Sequence, residues 1–198
     1  MTAMHWHRLL RRVWHFIWED DSILSWIVNV ILAFVLIKFV VYPLLGLLLA
    51  TKFPVVAVIS SSMEHDGRFD AWWEKQRAWY EEHGIERESF ETFPWRNGFN
   101  KGDIMVLHGT KAENIKKGHI IVFSTSIREE PIIHRVVDIK KDDHIVFTTK
   151  GDHNAQSYEF ERSISESQML GRAVFRIPYL GYIKIWFVDA LQLIGAIR

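Results

Sequence analysis

The chain has 198 residues, no cysteine, and equal totals of basic (Lys+Arg 24) and acidic (Asp+Glu 24) side chains. Without cysteine there are no disulfides, no thiol catalysis and no thiolate metal site, and the balanced charge leaves no electrostatic footprint for nucleic acid or a strongly acidic substrate. The length suits one domain of ordinary size plus an anchor, and the 9 tryptophans and 13 phenylalanines call for a well-filled core or for rings at a lipid–water boundary.

Residues 1–21 place Trp6, Leu9, Leu10, Val13, Trp14 and Ile17 at three- and four-residue intervals, alongside Arg8, Arg11 and Arg12. That spacing predicts an amphipathic helix lying on a membrane surface. Within residues 22–50 the run from Ile23 to Ala50 is almost wholly apolar, with Asn29 and Lys38 the main exceptions. Roughly 20 such residues cross a hydrocarbon core of ~30 Å, so this run is the predicted transmembrane anchor. Pro43 and Gly46 predict that the helix bends or ends before the run does, and Lys38 reaches toward an interface. A removable signal sequence fits less well, because its apolar stretch would be shorter and fewer mixed residues would precede it. The arginines before the anchor place the N-terminus in the cytoplasm and the rest of the chain on the extracytoplasmic side.

Residues 51–198 change texture. Pro54–Ile59, Asp103–Leu107, His119–Phe123, Ile132–Ile139 and Ile145–Thr149 are short, rich in β-branched residues and punctuated by Gly, Asn, Asp and Lys. This predicts a mainly β domain, an antiparallel sheet with tight turns. Residues 66–98 interrupt it with Trp72, Trp73, Trp79 and Tyr80 among many charges, a predicted helical insertion whose aromatics either pack locally or meet membrane or substrate. The stretch Tyr179–Ile197 is apolar but carries Lys184, Asp189 and Gln192, and reads as an interfacial or core-packed segment rather than a second span.

Three clusters carry the candidate chemistry: Ser60-Ser61-Ser62-Met63-Glu64 after a strand, His134 inside Ile132–Val137, and Lys150-Gly151-Asp152-His153-Asn154 at a strand end. Singly each has a plain explanation: a loop, a hydrogen-bonded core histidine, a turn. Together they offer a hydroxyl that needs a base, an imidazole suited to take its proton near neutral pH, and a carboxylate to fix the imidazole. His5, His7 and His15 lack any metal-ligand spacing, no HExxH occurs, and no phosphate-binding glycine loop is present, so no metal or cofactor is expected.

Five boxes in order, VISSSME, NKGDIMVL, KKGHIIVF, PIIHRVV and TTKGDHN, resemble those of the type I signal peptidases over about residues 58–154, and a stretch IPYLGYI resembles a later strand of that family. Histidine in PIIHRVV is similar to the archaeal and endoplasmic-reticulum form, which uses histidine where bacterial members use lysine. The resemblance implies a coiled antiparallel β-sheet catalytic domain behind an N-terminal transmembrane helix, acting as a serine endopeptidase on the signal peptides of secretory preproteins at the membrane, with small side chains at the first and third positions before the cut. It implies Ser62 as nucleophile, His134 as general base, and the Ser60 hydroxyl with the Ser62 N–H as oxyanion hole. The acid is left between Asp152, whose local match is better, and Glu159, because Tyr158 stands where the family carries a second aspartate. Other departures are Ser61 for glycine, His65 for proline, His119 for aspartate, and the insertion itself, which leans the reading toward an archaeal member. The alternative is an inactive relative that binds signal peptides or serves as a subunit of a larger complex.

Overall fold

The computed structural model describes residues 2–193, which divide after Leu48 into two units, each taken by itself. In the first, α1 (Thr2–Trp18) exposes Trp6, Leu10, Val13, Trp14 and Trp18 together with its arginines. Its last turn is closed by side chains of the next helix. Ser25 Oγ donates to the Phe16 carbonyl at 2.5 Å and Asn29 Nδ2 to the Ile17 carbonyl at 2.9 Å, satisfying acceptors that a helix C-terminus leaves orphaned. Asn29 interrupts the apolar run for this reason. Ser22 caps the N-terminus of α2 (Ile23–Leu36), its Oγ accepting from the Ser25 N–H at 3.2 Å.

The helix runs through the proline and ends at Leu48, before the apolar run does, as expected. It passes through one π-helical turn, Ile37–Val41, and continues as α3 (Tyr42–Leu48), with the Tyr42 N–H bonded to the Ile37 carbonyl. Pro43 has no N–H to give and its ring would crowd the carbonyl four residues back, and the extra residue of the π turn absorbs that mismatch. The whole, Ile23–Leu48, is 26 residues, long and apolar enough to cross a membrane, and at 1.5 Å per residue about 39 Å in length.

The second unit is built on one seven-stranded antiparallel sheet in the order β1-β2-β7-β3-β4-β5-β6. Its strands are β1 (Val55–Ala57), β2 (Ile104–His108), β3 (Ile120–Phe123), β4 (Ile132–Lys141), β5 (Ile145–Lys150), β6 (Ile164–Ser165) and β7 (Met169–Ile177). Five follow the expected runs, whereas β6 and β7 lie outside them. The IPYLGYI stretch is not a strand. Its first residue, Ile177, ends β7, and Pro178 opens a turn in which Tyr179 has φ 63°. The chain then enters α6 (Tyr182–Leu193). That helix exposes Ile183, Trp186 and Phe187, so it is not core-packed; the rest of the expected segment, to Ile197, lies outside the described residues.

Register shifts fall between Val106 and Leu107, Val122 and Phe123, and Val136 and Asp138. Such bulges sharpen twist, and the sheet curls into a half-barrel around a core that includes Met63, Met105, Leu107, Ile120 and Val122. Two turns built alike tie its strands. Asn100-Lys101-Gly102-Asp103 and Lys116-Lys117-Gly118-His119 both have glycine at φ near +90° (88° and 90°), a conformation that other residues rarely adopt. In the first, Asp103 Oδ2 accepts from the Asn100 N–H at 2.9 Å; in the second, His119 Nδ1 accepts from the Lys116 N–H at 3.1 Å. An imidazole nitrogen thus does the work of the aspartate it replaces. Burial, then the charges of Arg172 and Lys116, push the His119 pKa down, toward the neutral form that can accept.

The insertion folds as α4 (Phe69–Glu82) and α5 (Arg87–Glu91). Trp72, Trp73, Tyr80, Ile85 and Phe90 bury against one another and against Val137, the residue extruded by the β4 bulge. Its aromatics therefore pack locally. This cover buries Arg135 and Val137 and, with the two other core clusters, leaves Ile132–Val137 of β4 buried at every position instead of alternating.

Candidate active site

Ser62 follows the edge strand β1, and His134 sits near the start of β4, four strands away in the sheet order. In a flat sheet those strands would stand about 19 Å apart. Curling of the sheet and the loop after β1 bring Ser62 Oγ within 2.9 Å of His134 Nε2. His134 is 5% exposed. Its other nitrogen, Nδ1, bonds to Glu161 Oε1.

Neither expected acid reaches the histidine. Glu159 is exposed. Asp152 is buried, but its carboxylate is taken by Arg135 Nε (2.9 Å), Arg135 Nη2 (2.6 Å), Tyr80 Oη (3.1 Å) and His65 Nε2 (3.0 Å). It sits behind the turn instead of beside the imidazole. The carboxylate at His134 arrives from a residue that sequence reasoning passed over. Glu161 closes a 3-10 turn (Glu159–Glu161), fully buried, with Oε1 also accepting from Thr149 Oγ1 at 3.1 Å and Oε2 from the Tyr158 N–H at 2.9 Å. Tyr158, in the place of an aspartate, serves through its backbone. The sequence showed two glutamates two positions apart, and only the tight turn decides which of them points inward.

The other departures have physical reasons. Ser61 is absent from the positive-φ residues, so glycine is not required there by conformation. His65 supplies one of the donors to Asp152 and stacks on Trp72 with ring centroids 3.7 Å apart. Lys150 is engaged away from Ser62. Its Nζ donates to Gln76 Oε1 at 3.1 Å and the Gly151 carbonyl at 3.2 Å, over the rings of Trp79 and Tyr80.

The electrostatics of this buried group are asymmetric. Burial alone would raise the Asp152 pKa, but the charge of Arg135 and hydrogen bonds from His65 and Arg135 outweigh it and hold the carboxyl well below the usual range. Burial pulls the Lys150 ammonium down to about 8, against the charges of Asp152 and Glu161. A lysine whose folded value is lowered costs stability while charged, and the unfolded chain keeps its proton longer. Stability is therefore expected to rise from about pH 8 to about pH 10. Thermal midpoints measured across that window should climb for the wild type and stay level for Lys150→Met.

The turn after β5 locks the pair in place. The His153 N–H donates to the Ser62 carbonyl at 2.9 Å, and a Cβ added at Gly151 would lie 2.8 Å from both His134 Nε2 and the Ser62 carbonyl. Gly151→Ala is expected to slow any reaction that uses the Ser62–His134 pair by about 10²-fold, since a displacement near 1 Å costs that much; steady-state kinetics of variant and wild type measure it.

Ser60 Oγ lies 3.1 Å from Ser62 Oγ. The pair opens on a cleft of about 350 Å³ lined by Ile59, Ser60, Ser62, Ile132, His134 and Tyr158, among others. A hydroxyl, an imidazole and a carboxylate joined in series at a cleft form the constellation that activates an oxygen nucleophile for acyl transfer.

No protein-family profile matches the chain. It is similar to the human signal peptidase complex catalytic subunit SEC11C, 33% identical over 98 residues, covering 46% of this chain and 51% of that protein. The signal peptidase complex catalytic subunit SEC11 of Lachancea thermotolerans is 35% identical over 100 residues, with 46% and 59% covered. The human putative subunit SEC11B is 34% identical over 90 residues, with 42% and 54% covered. These relatives are of the endoplasmic-reticulum type of type I signal peptidase, at modest identity; the chain spans about half the length of the curated relatives it matches.

Proposed function

We propose that this chain is a membrane-bound serine endopeptidase that removes signal peptides from secretory preproteins, with Ser62 as nucleophile, His134 as general base and Glu161 as the acid that orients it. The observation that carries the reading is the 2.9 Å contact of Ser62 Oγ with His134 Nε2, backed on the far side of the ring by Glu161. The names of its relatives supply the substrate class.

The chemistry follows from the placement. His134 Nε2 takes the Ser62 proton as Oγ attacks the scissile carbonyl, and Glu161 stabilises the imidazolium that forms. The Ser60 hydroxyl and the Ser62 N–H receive the oxyanion, a contribution of about 2.7–4 kcal/mol per donor where such a hole has been dissected. His134 returns the proton to the leaving amine. It then deprotonates a water that attacks the acyl ester, and Ser62 regains its proton. The outer side of β1, the sheet edge next to Ser62, offers backbone groups to an extended substrate. The anchor holds the enzyme in the same membrane as a signal helix, with the N-terminus cytoplasmic by the distribution of arginines.

The test is cleavage of a signal-peptide-bearing preprotein in liposomes by the wild type, Ser62→Ala and His134→Ala, with the cut located by mass spectrometry. The expected outcome is one cut after a small residue, made by the wild type alone. A wild type that binds the preprotein and never cuts it would replace this reading with that of a signal-peptide-binding subunit.

A further inference from the structure

The insertion does more than fill space, because its side chains end on the group that holds the catalytic pair. Tyr80 donates to Asp152 Oδ1 at 3.1 Å and Trp72 Nε1 to the Asp152 carbonyl at 3.1 Å. The Trp72 ring also carries His65, whose Nε2 bonds Asp152 Oδ2 at 3.0 Å. From Asp152 two lines run to the chemistry. One goes along the turn to the His153 N–H on the Ser62 carbonyl. The other goes through Arg135 to its chain neighbour His134. Arg135 is itself caged by the insertion, with Nη1 on the Pro94 carbonyl (2.9 Å), Nη2 on the Trp95 carbonyl (3.0 Å) and its guanidinium 4.7 Å from the centre of the Phe90 ring.

We propose that residues 66–98 are a positioning element for the Ser62–His134 pair, with Tyr80, Trp72 and His65 as positioning residues that act through Asp152; this rests on the reading of that pair as catalytic. A carboxylate can be fixed by one arginine alone. Here its remaining acceptor directions are filled by a hydroxyl and an imidazole from the inserted segment and the loop that leads into it, so the turn has one orientation rather than several. The histidine in place of proline and the inserted helices are thus one device: His65 needs Trp72 to stack on, and both end on Asp152.

Tyr80→Phe keeps the ring in its aromatic cluster and removes only the hydroxyl. It is expected to lower kcat about tenfold with KM within about twofold, and Trp72→Phe to act in the same direction. Ile85→Val, in the same cluster but without a partner on Asp152, serves as the packing control. A second readout does not depend on turnover: the proton between His134 Nδ1 and Glu161, observed by NMR in isotopically labelled full-length protein, is expected to shift or broaden in Tyr80→Phe and not in Ile85→Val. If Tyr80→Phe matches Ile85→Val in kcat per folded enzyme and leaves that resonance unmoved, the proposal is overturned and the insertion is packing only. If the wild type cuts no preprotein, the proposed activity fails by itself, and the resonance still decides: displaced in Tyr80→Phe, it supports positioning; unmoved, it refutes it.

Discussion

Glu161→Gln is expected to lower kcat by about 10⁴-fold while the protein stays folded, as the equivalent carboxylate-to-amide change does in a serine protease triad. Glu161 accepts on both oxygens, from His134 Nδ1 and Thr149 on one and from the Tyr158 N–H on the other. A glutamine must turn its amide nitrogen to one side. Facing Tyr158, it sets donor against donor. Facing His134, it asks Nδ1 to accept, which moves the ring proton to Nε2, where it blocks transfer from Ser62. The second arrangement keeps the Tyr158 N–H bonded to an oxygen and lets the Thr149 hydroxyl accept, so it is the favoured one; it disables the base while the side chain keeps its volume. Glu159→Gln, at an exposed site, is expected to stay within about twofold of wild type. Kinetics and thermal midpoints of the two variants together distinguish the assignments, and an intact Glu161→Gln enzyme would remove Glu161 from the mechanism.

Asp152→Asn is expected to act on the fold first. The Arg135 guanidinium is wholly buried, and every one of its N–H groups is engaged, two of them on Asp152. Breaking such a pair on one side strands a buried charge and costs about 3–5 kcal/mol. Because the folded carboxyl is depressed, its contribution is fully present above the unfolded value of about 3.9 and is lost as the pH falls through the folded value. Wild-type stability should therefore fall steeply in acid, and Asp152→Asn should start lower and fall less. Denaturant titrations at several pH values measure both effects. A variant as stable as the wild type would show that Asp152 does not balance the buried Arg135 charge.

Much of the candidate site is legible in the sequence. Serine and histidine stand in short boxes whose spacing survives because each box is a strand end or a tight turn, and local rules govern those. Glu161 was not legible, since its contact with His134 depends on a 3-10 turn that points one glutamate of two inward. Strand β7 was missed for a related reason: Gly171 interrupts it, only Val174 and Ile177 in it are β-branched, and its pairing with β2 and β3 is long-range. The π turn before Pro43 shows the opposite limit: a breaker residue predicts a bend or a stop, and the backbone accommodates it with one extra residue that no side-chain pattern marks.

The edge strands set one further constraint. β1 is three residues long and β6 two. A cleft that receives an extended chain needs an uncovered sheet edge, and an uncovered edge also invites a second copy of the same protein. Three residues offer a guest strand only a few backbone bonds, too few to hold two copies together edge to edge. The brevity of β1 thus guards against self-association, and it leaves discrimination among guests to the side chains around Ser62 and to the membrane that delivers them.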